Sequence, residues 1–97
     1  MAYVIMFLIT FAITFDAGNT YAQAGFRMSP MDRNTDRRGS DYKAFDLQKP
    51  DPALCQDACL RDPRCMAWTY ERPRCWLKQA IPKKSKKPNC VSGYKIL

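Results

Sequence analysis

The pattern of apolar and polar positions divides the chain unevenly. Residues 2–15, AYVIMFLITFAITF, form an almost unbroken apolar run. It is shorter than the ~20 apolar residues that a membrane-spanning helix needs. Small residues follow it, and Ala22 and Ala24 each suit a cleavage site. The pattern predicts a signal peptide over residues 1–24, cut after Ala22 or Ala24, and a single domain over residues 25–97; a buried or membrane-anchoring helix is the alternative.

Residues 24–38 are mostly polar, with Phe26 and Met28 as an alternating apolar pair. They predict an edge strand followed by a loop, with Asn34-Thr35-Asp36-Arg37-Arg38-Gly39 as the turn-forming part. Residues 41–47 alternate Tyr42, Ala44 and Asp46 against Lys43, Phe45 and Leu47, the period of a half-buried strand.

Asp51-Pro52 predicts a helix start. An Asp side chain accepts hydrogen bonds from first-turn N–H groups, and Pro has no N–H to leave unsatisfied. The helix should end near Asp62, because Pro63 cannot continue it and disfavours helix in the residue before it. Cys55 and Cys59 then lie one above the other on one face, with Leu54 and Ala58 beside them. Residues 65–70 alternate as a strand, with Cys65, Ala67 and Thr69 toward the helix and Met66, Trp68 and Tyr70 away from it. Glu71-Arg72-Pro73-Arg74 reads as a turn and Cys75-Trp76-Leu77-Lys78 as a returning strand, with Trp76 on the face of Trp68. Residues 82–88, PKKSKKP, read as a solvated loop, and residues 90–97 as a last strand.

Composition narrows the chemistry. The formal charge is +7, and loss of residues 1–24 removes one acid, Asp16, and no base, which raises the charge to +8. A domain this small commonly relies on disulfides, and an exported chain meets the oxidising conditions that form them. Five cysteines therefore point to a cystine framework with one thiol left over. The chain has no His, which excludes Ser-His-Asp and Cys-His hydrolases. A zinc site fits poorly, because structural sites pair ligands on tight turns and often use His. No metal or other cofactor is expected.

The succession Cys55-x3-Cys59, Asp62-Pro63-Arg64-Cys65, Ala67-Trp68-Thr69-Tyr70 and Cys75-Trp76-Leu77-Lys78 resembles the PAN/Apple domain family in its compact, bacterial secreted form. Asp36-Arg37-Arg38-Gly39-Ser40-Asp41-Tyr42 upstream and Cys90-Val91-Ser92-Gly93 downstream resemble it too. The resemblance implies an α+β fold, a small antiparallel β-sheet curled around one short α-helix. It also implies two disulfides, Cys59 to Cys65 and Cys55 to Cys75; spacing alone does not choose among the three pairings that four cysteines allow. Longer animal Apple domains join a cysteine near the N-terminus to one near the C-terminus, but residues 24–50 contain no Cys to pair with Cys90. Cys90 is expected as a free, half-buried thiol, with a link to a second chain, and so a dimer, as the alternative.

The resemblance further implies a secreted or periplasmic, non-catalytic binding module for proteins or carbohydrates. Two sets of residues are candidates for the contact. Lys83, Lys84, Lys86 and Lys87, with Arg72, Arg74 and Lys78 nearby, read either as a solvated face or as a basic patch for a polyanion such as an acidic polysaccharide. Trp68 and Trp76, with Met66 and Tyr70, read either as core or as an aromatic surface that stacks on sugars or anchors a protein. Nucleic acid is not an expected partner of an exported chain without stacking motifs, and no stable membrane insertion is expected after signal cleavage. The alternative function is a small cationic effector acting on anionic membranes or envelope polymers. It would need an amphipathic basic element, whereas the outer face of the predicted helix carries Asp57, Arg61 and Asp62.

Overall fold

The computed structural model describes residues 26–97, so the expected signal peptide lies outside the described residues. The elements are β1 (Arg27–Met28), β2 (Asp32–Asp36), β3 (Asp41–Asp46), α1 (Pro52–Arg61), β4 (Ala67–Glu71), β5 (Arg74–Lys78) and β6 (Ser85–Ile96). The strands form one antiparallel sheet in the order β1-β6-β4-β5-β3, with β2 also paired to β6. The sheet and α1 form the α+β architecture expected above. No helix among the described residues is long and apolar enough to cross a membrane.

The helix forms where its local signals place it. Asp51 Oδ1 accepts from the Ala53 N–H at 2.9 Å, Pro52 opens the first turn, and the chain leaves the helix at Asp62 in an extended conformation. Asp62 then fixes the end of α1 to the sheet. Its carboxylate accepts from Tyr42 Oη at 2.8 Å and from the Arg64 N–H at 3.0 Å, and its carbonyl accepts from Lys95 Nζ at 2.8 Å. A cation at the helix C-terminus is favourable, because the last carbonyls carry partial negative charge. The Arg64 N–H, together with the Tyr42 hydroxyl, lowers the pKa of Asp62; burial, with Asp62 alongside, raises that of Tyr42.

Directly opposed residues in an antiparallel pair share a face, so the register sorts the sheet. Phe45, Cys75, Tyr70 and Val91 form one row, and Leu77, Trp68 and Gly93 the next. Both rows face α1 and join Cys55, Cys59 and Cys65 in the core. Ala44, Trp76, Thr69 and Ser92 form a row on the opposite face.

Several expectations are corrected. Trp68 is fully buried and Tyr70 nearly so, both on the helix side, while Trp76 lies on the other face. The expected alternation took its parity from Cys65, but β4 begins at Ala67, and Cys65 reaches the core from the turn before it. In β3 the register shifts between Asp41 and Lys43, so Tyr42 packs on the core side with Phe45 and Leu47 instead of opposing them. Leu54, one position before Cys55 on the helix, is exposed. The first half of the predicted loop, residues 34–36, is strand, and residues 37–40 form the loop. β2 carries no apolar alternation, and its pairing with β6 has a bulge where Asn34 and Asn89 both take positive φ and the Asn89 N–H donates to Asn34 Oδ1 at 3.3 Å. Asn tolerates this backbone region better than most residues. Likewise β6 begins at Ser85, inside the predicted lysine loop, with Pro88 beside that bulge, where a strand can accept a residue without N–H.

Two disulfides join the helix to the rest, Cys55–Cys75 with Cα atoms 5.5 Å apart and Cys59–Cys65 at 5.1 Å. They are the pairs that the family resemblance implies. The separations are 20 and 6 residues. Cys90 is a free thiol, 1 % exposed, so a link through it to a second chain would require local unpacking. Burial, with help from Glu71 and against Lys87, pushes its pKa up to about 11.

Three outcomes follow. In urea titrations Cys55→Ala/Cys75→Ala should lose about 3 kcal/mol and Cys59→Ala/Cys65→Ala about 2 kcal/mol, because the first pair closes the longer loop; the reverse order would contradict this account. A Cβ at Gly93 would lie 2.9 Å from Trp68 Nε1, so Gly93→Ala should lower stability by about 1–3 kcal/mol through overpacking, read as a shifted midpoint with an unchanged far-ultraviolet spectrum. Native protein at neutral pH should show no fast-reacting thiol and run as a monomer without reductant, then titrate one thiol in denaturant; rapid labelling of native Cys90 would refute its burial.

Candidate functional site

The lysine run is divided by the structure. Lys83 and Lys84 are exposed in the segment before β6, and Lys86 is exposed on β6 opposite Thr35. None of the three makes an ion pair among the described residues. Lys87 instead turns to Glu71, with Nζ 3.2 Å from Oε1. The neighbouring bases do not join them as one free patch: Arg74 pairs with Asp46 at 2.9 Å, and Lys78 is buried. Arg72 is exposed in the β4–β5 turn.

Arg37 holds the start of the run in place. Its guanidinium donates to the Pro82 carbonyl at 3.0 Å, pairs with Asp32 at 3.1 Å and lies over the Tyr94 ring at 4.8 Å. Lys83 and Lys84 therefore follow a residue tied to the sheet.

A pocket of about 280 Å³ opens on the sheet face away from α1. Thr69, Glu71, Trp76 and Cys90, from β4, β5 and β6, line its base, and Lys87 reaches it from the lysine run. The segment between β2 and β3 supplies the rest of the wall. There Gly39 has φ 103° and Ser40 φ 63°, and this turn brings Arg38 and Asp41 over the sheet. A φ of that size at position 39 suits Gly, which has no Cβ to clash.

Lys78 fastens this wall to β5. Its Nζ donates to Asp41 Oδ1 at 2.5 Å and to the Gly39 carbonyl at 3.2 Å, on a side chain 2 % exposed. Trp76 is half-buried, with small register neighbours, Ala44 and Thr69, on either side. The Thr69 hydroxyl is buried without a hydrogen-bond partner among the described residues. The raised pKa keeps Cys90 a neutral thiol at physiological pH. Buried polar groups, paired charges and one aromatic ring are equipment for holding a ligand by hydrogen bonds and packing.

Of the residues expected to bind, Lys87 and Trp76 meet at this pocket, Lys83, Lys84 and Lys86 stay on the outer surface, and Trp68 belongs to the core. Asp36, Arg38, Asp41, Thr69 and Glu71 line the pocket without a sequence signal of their own as binding residues, and Lys78 lines it as a buried, paired cation and not as part of a free basic patch. The one local signal for them is Gly39-Ser40 set between charged residues, which marks a turn able to fold back over the sheet.

No curated protein matches the chain. Residues 35–78 match the family model of the PAN domain. The matched segment spans the end of β2 to the end of β5 and includes α1, both disulfides, the Gly39-Ser40 turn and Trp76. PAN domains are in general non-catalytic modules that bind proteins or carbohydrates. This match, the curled antiparallel sheet, the short helix and the two bridges together support a PAN/Apple-like domain.

Proposed function

We propose that the chain is an exported, non-catalytic binding module, released by cleavage after Ala22 or Ala24, that captures an acidic polysaccharide or acidic protein on Lys83, Lys84 and Lys86. The observation that carries this reading is the exposure of three lysines, none of them ion-paired among the described residues, on a segment that Arg37 fixes to a doubly bridged PAN-like scaffold. Ordered cations lose less freedom on binding than a floppy tail does. The overall charge of +7 adds long-range attraction for a polyanion. The two disulfides support an oxidising destination, the bacterial periplasm or the exterior.

Trp76, half-buried on the outer sheet face, is the aromatic residue open to a ligand, since Trp68 is buried in the core. The cationic-effector reading gains nothing from α1, whose Arg61 is paired with Asp57 on the solvent side.

Binding to an immobilised sulfated or uronic-acid polysaccharide should weaken steeply between low and moderate salt, because exposed charges are screened over about 8–10 Å. Lys83→Ser/Lys84→Ser/Lys86→Ser should lower affinity about tenfold at fixed salt, at roughly 0.5 kcal/mol per exposed contact. Binding that ignores salt and survives the triple substitution would refute the lysine surface.

A further inference from the structure

The outer-face pocket has a chemistry unlike that of the lysine surface. Three carboxylates, Asp36, Asp41 and Glu71, and three cations, Arg38, Lys78 and Lys87, line it. Its lining is thus formally neutral in a chain that carries +7. Two of the cations are already matched by carboxylates, Lys78 by Asp41 at 2.5 Å and Lys87 by Glu71 at 3.2 Å. A polyanion would find little net attraction there.

What the lining offers is a set of fixed donors and acceptors. Lys78 Nζ uses two of its N–H donors, on Asp41 and Gly39, and keeps a third. The paired carboxylates retain free lone pairs. Thr69 is 3 % exposed and its hydroxyl has no partner among the described residues, a state that buried polar groups rarely keep unless water or a ligand completes it. Trp76 adds an apolar ring beside these polar groups, and its register neighbours are too small to cover it.

Hydroxyl groups are the ligand groups that both donate and accept, and a sugar ring joins several of them to an apolar C–H face. We propose that this pocket binds one neutral pyranose at the end of a glycan, its C–H face on Trp76 and its hydroxyls on Thr69, Lys78 and Asp41. At about 280 Å³ the cavity lies just below the usual range of ligand pockets, about 300–1,000 Å³, a size that suits a single ring. The proposal rests on the reading of the domain as a binding module and is independent of Lys83, Lys84 and Lys86.

The test is a titration of the isotopically labelled, fully disulfide-bonded protein with methyl glycosides of glucose, galactose, mannose and N-acetylglucosamine. Concentrations on the order of 50 mM reach millimolar affinities. At least one glycoside should give saturable shifts at the Trp76 indole N–H and the Thr69 amide, equal in low and high salt. Trp76→Ala should abolish the shift at the Thr69 amide. Thr69→Val should weaken binding about tenfold while the unfolding midpoint stays level or rises, because the lost hydroxyl has no partner in the free protein.

No saturable shift with any glycoside would overturn the proposal. So would a Thr69→Val protein that binds as well as the original, or binding of glycine or glucuronate in place of the neutral sugars. Retained polysaccharide binding alongside glycoside failure would reject the pocket alone. Glycoside binding that survives the triple lysine substitution would support the pocket even if the lysine surface fails.

Discussion

The bridge between Cys55 and Cys75 joins the middle of the helix to the middle of the sheet, and the roles of the two sheet faces follow from it. Cys75 stands between Phe45 and Tyr70 in one cross-strand row. Once its sulfur points at α1, the two-residue period of the strands sends Tyr70, Trp68 and Leu77 the same way and turns Trp76 and Thr69 outward. A core this small gains from such a staple, because apolar burial in short chains leaves a thin margin over conformational entropy. Cys59–Cys65 then fixes the exit of the helix, where Asp62 gathers contacts from Tyr42, Arg64 and Lys95.

With one face committed to the helix, the other is free for polar chemistry. Buried ions are tolerated there only with partners, and the face shows this in Lys78 with Asp41 and in Arg37 with Asp32. These pairs also hold chain segments. Lys78 pins the Gly39 turn, and Arg37 pins the segment that carries Lys83 and Lys84. Electrostatics therefore position the surfaces that the disulfide-bound core leaves exposed.

What could be read from the sequence was what local chemistry decides. Asp51, Pro52 and Pro63 bound the helix within about a turn, because capping and the absence of a proline N–H act over a few residues. The bridge pairing came from the family resemblance, since spacing alone left three choices. The faces of β4 and β5 were misread because Cys65 sits in a turn, and an alternation counted from outside a strand inherits the wrong parity. β2 was invisible because its strand character comes from backbone pairing with β6, with no apolar stripe to report it. The start of β6 was hidden by lysines and prolines that usually mark loops, and a bulge beside Pro88 makes them compatible with a strand. The pocket draws on residues from position 36 to position 90, so no window of sequence contains it.

The close approach of Trp68 to Gly93 also constrains how related sequences can vary. The indole fills the space where a Cβ at position 93 would stand. Positions 68 and 93 therefore share one fixed volume across the β4–β6 pairing. A relative with a larger residue at 93 should carry a smaller one at 68, and drift at either position alone should be rare. The two sites would covary by size, a signature that an alignment of relatives should carry independently of any ligand.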